Sequence, residues 1–185
     1  MQEEKEKIAF DESRRVCTLS KDIIDLLVNQ LSHELHNHSI YRTFSNYFGT
    51  HGLPDLEEYF NLRSEEEYKH HKWILWYLSY TDAEFQYPAV EPVNIEIKNN
   101  VIPFKETVDV EINTTMLINN IVAKALELND YSTYAWLMGN DDEHGKLVLE
   151  QVEEESISRT ILEMAQLDSD WHQKQETILE FYKND

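Results

Sequence analysis

The sequence predicts an all-α protein: a four-helix bundle with a long crossover between its second and third helices and a short fifth helix at the C-terminus. Three observations carry this expectation. Only four glycines and four prolines occur among 185 residues, the economy of a chain built mostly of long helices. Apolar residues recur at three- and four-residue intervals over long stretches, which is the period of one helix face. Segment 81–103 interrupts that period with three prolines, and a connection this long lets the helices on either side run parallel, as in bundles with one long crossover.

The elements follow in order. Residues 1–18 are read as a charged N-terminal extension. The first helix begins after Leu19 with Ser20 as its cap, and its stripe runs Ile23, Leu27, Leu31, Tyr41, Phe44, Phe48 until Gly49, Gly52 and Pro54 close it. The second spans about Asp55 to Tyr80, with Leu56, Phe60, Leu62, Ile74 and Leu78 apolar. Val93, Ile95 and Ile97 alternate through the crossover, as extended chain does. A third helix is expected from Lys105 to Leu128, ending at Asn129-Asp130, and a fourth from near Ser132 to Leu167. The last helix occupies roughly 171–183, so the bundle is assigned to 19–168 and the C-terminal segment to 169–185.

Charge narrows the function. Sixteen Lys and Arg stand against 36 Asp and Glu, a net charge of −20, which argues against nucleic acid or an anionic membrane as partner and suits metal cations. Cys17 is the single cysteine, so no internal disulfide is available and a reducing compartment is the expectation. No apolar run approaches the ~20 residues of a membrane span, and the chain opens MQEEKEK without an apolar signal core. A soluble cytoplasmic protein is expected.

Several polar residues sit where the helical period calls for apolar ones. Glu34 and His38 interrupt the first stripe, Glu67 and His70 the second, and Glu111 falls early in the third helix. In the fourth, Gln151 and Glu154 are three apart within Glu150-Gln151-Val152-Glu153-Glu154-Glu155 and therefore share a face, as Glu67 and His70 do. A buried carboxylate needs a partner or a metal, and carboxylates with imidazole are ligands for iron. Each residue alone has an ordinary reading as a surface side chain. Their conjunction on four successive helices points to a dinuclear iron site. His33, His36, His51, His71 and His172 are expected at the surface or at subunit contacts, and His38 in packing or beside a ligand.

The chain resembles the ferritins, most closely the bacterial and archaeal non-haem kind. The likeness rests on Gln30-Leu31-Ser32-His33-Glu34-Leu35 with Tyr41 beyond it, Glu65-Glu66-Glu67-Tyr68-Lys69-His70, Phe104-Lys105-Glu106-Thr107 with Glu111, Asp130-Tyr131, and the acidic run at 150–155. It implies a ferritin-like fold and iron storage and detoxification by a cytoplasmic homo-oligomeric shell of 24 subunits. Fe(II) would be oxidised by O2 or H2O2 at an intra-subunit ferroxidase centre, and Fe(III) mineral deposited in the cavity. By the same resemblance Glu34, Glu67 and His70 hold the first iron, with Glu67 bridging. Glu111, Gln151 and Glu154 complete the second position, and Tyr41 supplies a nearby phenol. Glu66, Glu150, Glu153 and Glu154 match a third iron site. Tyr68 stands where the bacterioferritins carry their haem-ligating methionine, so no haem is expected. Two alternatives stay open: a storage shell with an atypical or impaired centre, and a di-iron oxidase or peroxidase that forms no cage.

One departure from the family pattern is an insertion of seven residues, placed at Gly139–Gly145. Seven helical residues advance ~10 Å and return within ~20° of the starting face. A continuous helix can therefore absorb them, whereas the flanking glycines favour a break. The rival register without insertion sets His144 and Leu147 in place of Gln151 and Glu154, and Asp141 with His144 forms a further ligand-like pair.

Overall fold

The computed structural model describes residues 17–139 and 146–184. Among them are six helices and no strand: α1 (Lys21–Thr50), α2 (Pro54–Tyr80), α3 (Ile102–Glu127), α4 (Tyr131–Leu137), α5 (Leu147–Gln166) and α6 (Trp171–Asn184). None of them is long and apolar enough to cross a membrane. The expected extension, up to residue 16, lies outside the described residues.

Local chemistry sets the boundaries. The Ser20 side chain accepts a hydrogen bond from the Ile23 N–H at 3.2 Å, satisfying one of the unpaired donors of the first turn of α1. Gly52 turns the chain toward α2 at φ 74°, a left-handed conformation that costs a glycine least. Pro54 then occupies the first turn of α2. α3 starts at Ile102 rather than at the expected Lys105, with Pro103 in its first turn. A proline there loses no helical hydrogen bond, because the first N–H groups have no partner anyway.

The crossover fixes the direction of α3. Ser32 donates to the Ala89 carbonyl at 2.9 Å, the His36 ring bonds the Glu91 carbonyl at 2.9 Å, and the Tyr47 hydroxyl donates to Asn100 at 2.8 Å. The segment thus runs alongside α1 in the same sense and delivers α3 antiparallel to α1 and parallel to α2. Val93, Ile95 and Ile97 pack, partly buried, on the lower core. His71, expected at the surface or a subunit contact, is buried instead. It is held by the Leu31 carbonyl at 3.0 Å and the Tyr87 hydroxyl of the crossover at 2.5 Å.

The fourth rod, expected from Ser132 to Leu167, is in two pieces. α4 is capped by Asp130, which accepts from the Thr133 N–H at 3.0 Å, and it ends at Leu137. α5 restarts at Leu147 behind Lys146 at φ 73°. Residues 140–145, with Asp141 and His144, lie outside the described residues. Leu147 packs into the apolar core, which removes the register that would have set it among the ligands.

Two apolar clusters fill the bundle. One gathers Ile23, Leu27, Leu31, Trp73, Ile74, Ile118, Ile121 and Leu147. The other gathers Phe44, Phe48, Leu56, Phe60, Phe104, Ile161 and, from α6, Ile178 and Leu179. Each fully buried Leu, Ile or Phe contributes ~1.5–3 kcal/mol relative to exposure. α6 is pinned across this lower end by Gln175, which accepts from the Asp55 N–H at 3.1 Å, and by the Lys183–Glu58 pair at 2.5 Å. Between the two clusters the core changes character. Glu34, Asn37, Arg63, Glu67, His70, Glu111, Thr114, Gln151 and Glu154 form a buried polar layer across the four rods.

Candidate metal centre

Every residue of this layer is placed by helical spacing. Glu34 lies on the buried stripe of α1, Glu67 and His70 three apart on α2, Glu111 on α3, and Gln151 and Glu154 three apart on α5. All six are buried, with exposures between 0% for Glu34 and Glu111 and 8% for Glu154. Ligand atoms of Glu34, Glu67 and His70 lie within 4.8 Å of one another, and so do those of Glu67, Glu111 and Glu154. Glu67 belongs to both groups.

The surrounding side chains orient these donors. Gln30 donates to one oxygen of Glu34 at 2.6 Å, and Asn37 donates to Glu67 at 3.3 Å and to Thr114 at 3.1 Å. The Gln151 amide donates to Glu111 at 2.7 Å, and the Tyr41 hydroxyl donates to the other oxygen of the same carboxylate. Two carboxylate oxygens, Glu34 Oε2 and Glu154 Oε2, are buried without a hydrogen-bond partner. Buried acceptors normally have one. Lone pairs left open inside a core, on hard oxygen donors beside one imidazole, fit an iron substrate.

Electrostatics reflect the crowding. Burial, followed by Glu34 and Glu111, holds the Glu67 carboxyl well above the usual carboxylate range. Burial also pushes Glu154 up to about 8, against the pull of His70 and Arg63. For His70 burial favours the neutral ring, but Glu154, the Glu150 hydrogen bond and Glu34 outweigh it and push the imidazole up to about 9. Tyr41 is raised by burial and by Glu111 and keeps its proton.

Arg63 is the residue sequence reasoning missed. It is 1% exposed and pairs with Glu111 at 2.5 Å, with Glu66 at 3.1 Å and with Glu154 at 3.7 Å. Its position four residues before Glu67 places it on the same helix face, which was the available signal. His38 is turned away, bonded to Ser64 at 2.7 Å.

A cavity of about 370 Å3 opens beside the layer and is lined by Arg63, Glu66, Lys69, His70, Glu150, Glu153 and Glu154. Two of its carboxylates already face donors. Glu150 meets His70 at 3.0 Å, Lys69 at 3.4 Å and Lys146 at 3.7 Å, and Glu66 meets Arg63 and the Tyr182 hydroxyl.

Fold and site together define a helical bundle with a buried carboxylate–imidazole group able to hold metal. The ferritin-like domain of the ferritin family matches residues 24–167, and the chain belongs to that family. A bacterial non-heme ferritin of Campylobacter jejuni is 28% identical over 149 residues, covering 80% of this chain and 85% of that protein. A probable bacterial non-heme ferritin-like protein of Haemophilus influenzae is 27% identical over 145 residues, covering 78% and 84%. Among solved structures, an open pore ferritin from Archaeoglobus fulgidus has a TM-score of 0.79 at 23% identity, covering 90% of this chain and 97% of that one. Chlorobium tepidum ferritin has a TM-score of 0.75 at 26% identity, covering 90% and 96%.

Proposed function

We propose that this chain takes up Fe(II) as substrate at the buried layer, oxidises it, and stores the Fe(III) as mineral inside a cytoplasmic 24-subunit homo-oligomeric shell. The observation that carries this reading is the membership of Glu67 in two buried donor groups. A carboxylate common to both positions sets the separation of two ions and lets them deliver electrons to one O2. Each Fe(II) loses one electron, and O2 takes both with two protons to leave as H2O2. The raised Glu67 and Glu154 carboxyls are proton carriers that ion binding discharges. Tyr41 and Gln151 hold Glu111 in place from both sides. A third iron would meet Glu66, Glu150, Glu153 and Glu154 at the cavity and would compete there with Lys69 and His70 for Glu150.

A second reading, a storage shell with an impaired centre, is favoured by one contact, the Arg63–Glu111 pair, which sets a fixed cation at the second position. Stopped-flow absorbance after mixing Fe(II) with air-saturated protein separates the two. A fast phase lost in Glu67→Ala and His70→Ala supports the ferroxidase; one slow phase, unchanged in both variants, leaves storage alone. Size-exclusion chromatography of the same samples reports whether a shell forms.

A further inference from the structure

The layer holds a cation of its own. Arg63 is fully charged at any accessible pH, is buried, and reaches Glu111 at 2.5 Å and Glu154 at 3.7 Å, two of the three residues of the second donor group. Among the described residues no arginine pairs with the first group, Glu34 with Glu67 and His70, and its Glu34 Oε2 accepts no hydrogen bond, with His70 Nδ1 at 3.9 Å as its nearest cationic neighbour. We propose that Arg63 is a built-in competitor for the second metal position, so that the centre fills in order: one divalent cation at Glu34, Glu67 and His70, then a second only when Arg63 leaves Glu111. This rests on the metal-centre reading above and specifies its order of filling.

Geometry supplies the exit. Arg63 Nη1 already donates to Glu66 at 3.1 Å on the cavity side, so the guanidinium has a carboxylate to retreat to. Its Nε is buried without a hydrogen-bond partner, so the present seat satisfies it incompletely. Two cations forced into the same low-dielectric space repel strongly, and arginine cannot relieve this by losing its proton. Displacement is the remaining route. Lysine would not reproduce the arrangement, because one guanidinium fork spans Glu111 and Glu66 together.

The test uses the whole assembly stripped of metal, with Zn(II) as a redox-silent probe. Crystals of the natural protein and of Arg63→Gln are equilibrated with one and with about ten equivalents per subunit, and anomalous scattering at the zinc edge gives the occupancy of each position. In the natural protein at one equivalent, the Glu34–Glu67–His70 position should be filled at least about tenfold more than the other, a difference of about 1.4 kcal/mol. At excess zinc the second position should fill with the Arg63–Glu111 contact broken. In Arg63→Gln both should fill together at one equivalent. Equal filling in the natural protein, or a second zinc beside an undisturbed Arg63–Glu111 pair, overturns the proposal, as does an unchanged ratio in the variant. Should the variant fail to assemble, the two natural-protein crystals decide alone. Zinc absent from Glu34, Glu67 and His70 in every crystal removes the metal-centre reading itself, which is a different failure.

Discussion

Arg63 donates to Glu111 at 2.5 Å inside the bundle, with 1% and 0% of the two side chains exposed. An ion pair so deep is less a source of net stability than a commitment, since each partner is costly without the other. Arg63→Met should therefore destabilise the metal-free protein by ~3–5 kcal/mol, because Glu111, Glu66 and Glu154 lose their common cation together. Saturating Zn(II) should restore much of the loss. Denaturant unfolding with and without zinc measures both, and a variant as stable as the natural protein without metal would show the pair to be dispensable.

The metal-free protein should lose stability as pH rises from mildly acidic to alkaline. Glu154, pushed up to about 8 by burial, and His70, pushed up to about 9 by its carboxylate neighbours against burial, hold protons when folded that they release on unfolding. Their stabilising contributions are complete below the unfolded values of 4.5 and 6.5 and are lost as pH climbs through about 8 and about 9. Glu150, held low by His70, Lys69 and Lys146 against burial, opposes the trend only at acidic pH. Calorimetric melting across that range should show a falling Tm without metal and a much smaller fall with zinc, which replaces those protons. A metal-free Tm rising between about pH 6 and 9 contradicts the assignment.

Tyr41→Phe removes one donor to Glu111 while Arg63 and Gln151 remain. The expected loss of stability is ~0.5–1.5 kcal/mol, the net worth of one hydrogen bond. If the phenol only positions Glu111, the fast oxidation phase slows severalfold without disappearing. Stopped-flow traces alongside urea unfolding separate positioning from general destabilisation.

The apolar clusters make a prediction of a different kind. Leu27 is 0% exposed in the upper cluster, and Leu27→Ala should cost ~2–5 kcal/mol through lost transfer energy and the cavity left behind. Glu34, Glu67 and His70 lie below that cluster, so zinc binding at one equivalent should survive the substitution. Urea unfolding and zinc titration check the two halves of this claim.

How much of this was legible in the sequence differs from element to element. Helices α1 and α2 follow their apolar stripes directly, since Ile23, Leu27, Phe44, Phe48, Leu56 and Phe60 recur with the helix period and all are buried. Glu34, Glu67, His70, Glu111, Gln151 and Glu154 could be picked out because polar residues on a buried stripe are conspicuous, and the structure brings all six into one layer. Arg63 was not legible as a site residue because a guanidinium offers no lone pair to a metal. The start of α3 was misplaced because Pro103 reads as a breaker until its position in the first turn is known. The interruption between α4 and α5 was undecidable, since seven helical residues nearly preserve the face. The flanking glycines pointed to a break, but the left-handed conformation falls on Lys146, one residue past Gly145.

The central claim is that Glu67 is shared by two ions within the bundle. Iron-edge anomalous diffraction from crystals loaded anaerobically with excess Fe(II) tests it most directly. Two peaks inside the polar layer, both in contact with Glu67, one beside His70 and one beside Glu111 and Glu154, are the expected result. Iron confined to the cavity carboxylates Glu66, Glu150 and Glu153, with nothing bound at Glu67, would contradict it.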